Sequence, residues 1–200
     1  MKRIIFLFFI LTTLTGFAQY PVLEIGDQLP KSEKMQSTST DQMLDLKSLA
    51  GENGLLVIFS CNTCPFVIAW EDRYPMVNEI AQKNKVGFAL INSNYLKRDG
   101  DDSFEAMAQH AKSHDYKWPY LVDKESKLAN AFGAQTTPHV FLFDKNMKLV
   151  YKGAIDDNYK NASEVEVFYL KDALNSLGEG NEIKIKETRN LGCSIKRKTS

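Results

Sequence analysis

Gly54-Leu55-Leu56-Val57-Ile58-Phe59-Ser60-Cys61-Asn62-Thr63-Cys64-Pro65 is the stretch on which the fold turns. Five consecutive apolar residues introduced by a glycine have the length and composition of a strand buried on both faces of a sheet. Two cysteines two residues apart follow at once. Beyond them, Val67, Trp70, Tyr74, Val77 and Ala81 recur at the three-and-four spacing of an amphipathic helix running to about Asn84, which Pro75 is expected to kink. A strand that runs into a helix in this way places both sulfurs near unpaired backbone N–H groups. Such surroundings favour the thiolate and hold reactive cysteines at about 3.5–7.5. Position predicts Cys61 as the more exposed, attacking sulfur, with Cys64 able to attack a mixed disulfide on Cys61 and release the partner.

Working outward, the pattern alternates strand and helix. Val86 to Ile91 reads as a second buried strand. Asp102 to Ser113 reads as a helix, with Asp102 and Glu105 at capping-box spacing. Trp118 to Val122, Lys124 to Phe132 and Val140 to Phe143 read as strand, helix and strand, and Lys148 to Lys152 as an antiparallel hairpin partner. A last helix is expected to start at Ser163 and Glu166 and to stop at Gly178. The fold class is α/β, a central mixed sheet flanked by helices. Gln19 to Asn53 forms an N-terminal extension with a small hairpin and one helical turn, residues 54–178 the core, and residues 179–200 a basic tail carrying Cys193.

The first 18 residues have the layout of a secretory signal peptide: Lys2-Arg3, an apolar run from Ile4 to Leu14, and small residues at Gly16 and Ala18 before the cleavage point. The run is shorter than the roughly 20 apolar residues of a membrane span. A periplasmic or secreted protein is expected, with no stable membrane insertion after cleavage. Lys plus Arg and Asp plus Glu both number 25, so the formal net charge is zero and no footprint for nucleic acid is present. Outside the cytoplasm disulfides persist, and three cysteines cannot all pair within one chain.

The strand–CxxC–helix, the Thr137-Pro138 step ahead of the strand at 139–143, and the hairpin partner ending at Gly153 together resemble the thioredoxin superfamily. Cys-x-x-Cys-Pro, the long insertion before the proline, and Gly153-Ala-Ile-Asp-Asp157 are similar to its redoxin branch, the peroxiredoxin-like proteins. The resemblance implies a thioredoxin-like fold, a cis Pro138 facing the cysteines, and a Thr137 that flanks the sulfurs and offers its backbone to a bound peptide. It implies an enzyme, a thiol–disulfide oxidoreductase without a cofactor, whose catalytic residues are Cys61 and Cys64 and whose partners are protein or small-molecule thiols and disulfides. Thioredoxins carry a buried carboxylate on the strand before the motif, and Leu55 to Phe59 has none. Peroxiredoxins carry a proline and a threonine upstream of the peroxidatic cysteine, and Val57 to Ser60 has neither, so thiol peroxidase is the second reading. The ending Gly192-Cys193-Ser-Ile-Lys196 resembles the same branch and offers Cys193 as an extra resolving thiol or as a plain tail cysteine.

Other readings of the same residues remain. A structural Cys61–Cys64 disulfide would close a very small loop and stabilise little. A copper or zinc module would need more ligands than the pair, with His139 and Cys193 as candidates. His110 and His114, four apart, read as a solvated helix flank rather than a metal pair. Trp70 and Trp118 read as core or groove aromatics.

Overall fold

The computed structural model describes residues 20–198, so the leader at 1–18 lies outside the described residues. Two short strands, β1 (Met35–Gln36) and β2 (Met43–Leu44), pair antiparallel and are followed by a single 3-10 turn at Lys47–Leu49. The chain then enters β3 (Gly54–Ser60), α1 (Pro65–Trp70), α2 (Tyr74–Lys83), β4 (Val86–Asn92), α3 (Phe104–Ser113) and β5 (Tyr120–Val122). It continues through α4 (Lys127–Phe132), β6 (Thr136–Thr137), β7 (His139–Asp144), β8 (Leu149–Gly153), α5 (Tyr169–Gly178) and β9 (Cys193–Ser194). Five strands make the central sheet in the order β5-β4-β3-β7-β8, with β3, β4 and β5 parallel and β7 and β8 antiparallel. The mixed thioredoxin-like sheet expected from the sequence is therefore present. No helix among the described residues is long and apolar enough to cross a membrane.

Every residue of β3 is buried, because the strand is central and the alternation of its side chains feeds two cores. Leu56 and Ile58 pack with Trp70, Tyr74, Leu142, Leu170 and Leu174 on one face of the sheet. Leu55, Val57 and Phe59 pack on the other with Phe132, Phe141 and Phe143. Phe132 stands edge-on to Phe59, Phe141 and Phe143 with ring centroids 5.2, 5.1 and 5.7 Å apart. Removing that ring empties the centre of the second core, so Phe132→Ala is expected to cost about 3–5 kcal/mol in chemical denaturation.

Three local expectations are corrected. The helix after the cysteines breaks before Pro75, at a 3-10 turn over Glu71–Arg73, and Pro75 sits in the first turn of α2 where its missing N–H is harmless. Ser103, not Asp102, caps α3 by accepting from the Ala106 N–H at 3.1 Å, which leaves Asp102 free to turn inward. The last helix begins at Tyr169 rather than at Ser163, since Asn161 caps a lone 3-10 turn and Asp157 takes the N–H of Glu166 at 3.1 Å.

Candidate functional site

β3 ends at Ser60, so Cys61 leaves the sheet at its carboxyl edge, and Cys64 is the residue that caps α1 with Pro65 directly behind it. The two sulfurs are equally hidden, Cys61 being 3% and Cys64 4% exposed. Cys61 is thus not the exposed sulfur at the helix mouth that position along the chain implied. The Thr137–Pro138 peptide is cis. Thr137 reaches both cysteines: its Oγ1 lies 3.2 Å from the Cys61 sulfur, and its carbonyl oxygen accepts the Cys64 thiol at 3.0 Å. The structure therefore brings together the sequence-derived set of Cys61, Cys64 and Thr137, with Pro138 next in the chain.

The loop between the cysteines is fastened by a residue that sequence reasoning placed elsewhere. Asp102 is completely buried, and its carboxylate accepts from the Asn62 N–H at 3.0 Å, Asn92 Nδ2 at 2.7 Å and Asn94 Nδ2 at 2.9 Å. Tyr120 donates its hydroxyl to Asn62 Oδ1 at 2.9 Å. β3 lacks the buried carboxylate of thioredoxins, and one arrives here from the turn before α3. The sequence signal for it, an acidic residue just before a helix, is the signal for a cap.

Thr137 treats the two sulfurs differently. Its hydroxyl can donate to a Cys61 thiolate, whereas its carbonyl oxygen can only accept and so keeps the proton on the Cys64 thiol. The two thiols interact strongly and lose their protons as a pair, with burial of both sulfurs and the negative charge of Asp102 beside Cys61 opposing ionisation and the Thr137 hydroxyl favouring it.

Cys193 joins the site through the tail. β9 pairs antiparallel with β6, with Thr137 opposite Cys193 and Thr136 opposite Ser194. Its side chain packs against the Cys61–Cys64 cluster, and burial together with the charge of the neighbouring Cys64 raises its thiol to about 11. Its distance from the pair in sequence concealed this placement.

His139 does not join the sulfurs. It is buried against Phe141, with ring centroids 4.4 Å apart, its Nδ1 faces the Gln135 N–H at 3.3 Å, and burial pushes it down to about 3, so it stays neutral. The Cys61, Cys64, His139 metal set is not formed. Among the described residues the potential metal ligands that converge are Glu71, His110 and His114, with ligand atoms within 4.8 Å of one another. The two histidines are thus not a free solvated flank: their Nε2 atoms stand 2.5 and 3.3 Å from the Glu71 carboxylate. Burial alone would raise the Glu71 carboxyl, but His110 and Tyr116 bond to it and hold it below the usual range. A depressed acid stabilises the fold above its unfolded pKa of about 4.3 and loses that contribution as pH falls through the folded value. The stability gap between wild type and Glu71→Gln, read from urea midpoints, is expected to shrink through that window. Trp70 donates to Asp156 at 2.6 Å and ties α1 to the Gly153–Asp157 stretch.

A family model described as Redoxin matches residues 24–167. The thiol-disulfide oxidoreductase ResA of Bacillus cereus (strain ZK / E33L) is 26% identical over 163 residues, 76% of this chain and 87% of that protein. The thiol-disulfide oxidoreductase YkuV of Bacillus subtilis (strain 168) is 26% identical over 106 residues, 52% of this chain and 68% of that protein. Among solved structures, an uncharacterized conserved protein from Geobacillus kaustophilus has a TM-score of 0.81 at 31% identity, covering 92% of this chain and 95% of that one. A sulfur pair between a central strand and a helix, facing a cis-proline strand, is what the matched span encloses, and the chain belongs to the Redoxin family.

Proposed function

We propose that this protein is an exported thiol–disulfide oxidoreductase in which Cys61 attacks and Cys64 resolves. The observation that carries the reading is the seat of the pair on Thr137, whose hydroxyl lies 3.2 Å from the Cys61 sulfur, where it can donate to a thiolate, and whose carbonyl oxygen accepts the Cys64 thiol at 3.0 Å. The names of the curated relatives support the reaction class, and the leader-like first 18 residues support export.

In the reductive direction the Cys61 thiolate attacks one sulfur of a partner disulfide, forming a mixed disulfide and expelling the other sulfur as a thiolate, which takes up a proton. Cys64 then loses its proton and attacks the Cys61 sulfur. The Cys61–Cys64 bond forms, the bond to the partner breaks, and the second partner thiol leaves. The protein is oxidised by two electrons and the partner reduced by two. Thr137 positions both sulfurs through its hydroxyl and carbonyl. Soluble thiols or protein disulfides outside the cytoplasm are the partners.

Trapping tests the assignment. Cys64→Ser keeps the attacking sulfur and is expected to accumulate reductant-sensitive covalent complexes with partner proteins, whereas Cys61→Ser accumulates none. Complexes on Cys61→Ser alone would invert the two roles. Peroxide separates this reading from a thiol peroxidase: with no proline–threonine pocket upstream of the sulfurs, the reduced protein is expected to consume hydrogen peroxide no faster than an ordinary acidic thiol. Fast, saturable turnover in stopped flow would favour the peroxidase.

A further inference from the structure

The backbone of Thr137, which the family resemblance offers to a bound peptide, already has a strand on it. That strand is the chain's own β9, and the residue opposite Thr137 is a cysteine. The seat is specific. An added Cβ at Gly192 would come within 2.3 Å of the Thr137 carbonyl oxygen, so only glycine lets the tail pass this close. Asn190 Nδ2 donates to Thr136 Oγ1 at 2.9 Å, the Ile195 N–H to the Gln135 carbonyl at 3.1 Å, and Arg197 to Asn130 Oδ1 at 2.6 Å. Ile195 is buried in the second core. At the sulfurs, Cys193 packs against the cluster of Cys61, Cys64 and Val67, and after burial it is the charge of Cys64 that opposes its ionisation, so its thiol stands beside Cys64. Both members of the pair lie buried alongside the tail.

We propose that the C-terminal strand is a built-in substrate of the redox pair: Cys193 exchanges with the Cys61–Cys64 disulfide to form Cys64–Cys193, and the seated tail closes the groove to partners. This rests on the oxidoreductase reading above and names the regulation of that same site. In the exchange the Cys193 sulfur gives up its proton and forms a bond to the Cys64 sulfur. The Cys61–Cys64 bond breaks and Cys61 leaves as a thiolate that takes the proton. No net oxidant is consumed. Formation of any Cys64 disulfide removes the Cys64 charge, which otherwise opposes ionisation of Cys193.

The test maps disulfides in the full-length protein after oxidation with glutathione disulfide, by non-reducing digestion and mass spectrometry. Wild type is expected to give both Cys61–Cys64 and Cys64–Cys193 peptides, and Cys61→Ser an intramolecular Cys64–Cys193 bond in nearly every monomer. Gly192→Val keeps all three sulfurs and removes the seat. It is expected to lower the Cys64–Cys193 yield and to raise the rate at which an aromatic disulfide reagent reacts with the reduced Cys61–Cys64 pair by about tenfold or more, as the open fraction rises. Only glutathione adducts or dimers in Cys61→Ser, or a Gly192→Val protein that matches wild type on both counts, would overturn the proposal. Failure of this proposal alone leaves Cys61–Cys64 as the sole bond in an active protein, whereas failure of the oxidoreductase reading leaves no Cys64 disulfide at all.

Discussion

Cys61→Ser is expected to lower disulfide reduction by a factor of at least about 10³, because a hydroxyl in that position supplies no nucleophile near neutral pH. The loss should be the same in single-turnover and steady-state assays, since the first step is the one removed. Cys64→Ser is expected to differ in kind. It should retain the first half of the reaction, visible as one equivalent of thiol released from a small disulfide, and then stall. A Cys61→Ser protein that releases that equivalent at the wild-type rate would show that the attacking sulfur is Cys64.

The second large effect is on stability and comes from Asp102. Three buried donors, the Asn62 N–H and the side-chain amides of Asn92 and Asn94, rely on its carboxylate. Leaving a buried donor unsatisfied costs about 1–3 kcal/mol, so Asp102→Ala is expected to lose at least about 3 kcal/mol. Against a total of about 5–15 kcal/mol for a typical domain this is a large share. Asp102→Asn keeps the volume and one acceptor oxygen and should recover part of the loss. Urea titration reads both, and an Asp102→Ala protein within about 1 kcal/mol of wild type would refute the role given to this carboxylate.

What was legible in the sequence and what was not divides by the range of the interaction. The β3 run, the CxxC spacing and the Thr137-Pro138 step are local patterns, and the sheet, the sulfur pair and the cis bond all appear where those residues put them. Asp102 read as the cap of α3, and Ser103 takes that role because donors on the loop around Asn62 and at Asn92 draw Asp102 inward, which periodicity does not reveal. His110 and His114 were correctly paired on one flank of α3, but their partner Glu71 comes from the break between α1 and α2 that Pro75 displaced. Cys193 was visible as a third sulfur, yet a two-residue strand has no alternation to predict its pairing with Thr137. Chain position put Cys61 outermost, while in space both cysteines are buried alongside the tail, whose return to β6 no local pattern reveals.

The central claim is that the reactive thiolate of the reduced protein resides on Cys61, and limited alkylation tests it most directly. Fully reduced protein is treated with substoichiometric iodoacetamide near pH 6, where an ordinary thiol of pKa about 8.5 is almost wholly protonated, and the labelled sulfur is located by peptide mass spectrometry. The account predicts that the label falls on Cys61 first. Label on Cys64 or Cys193 ahead of Cys61 would contradict it.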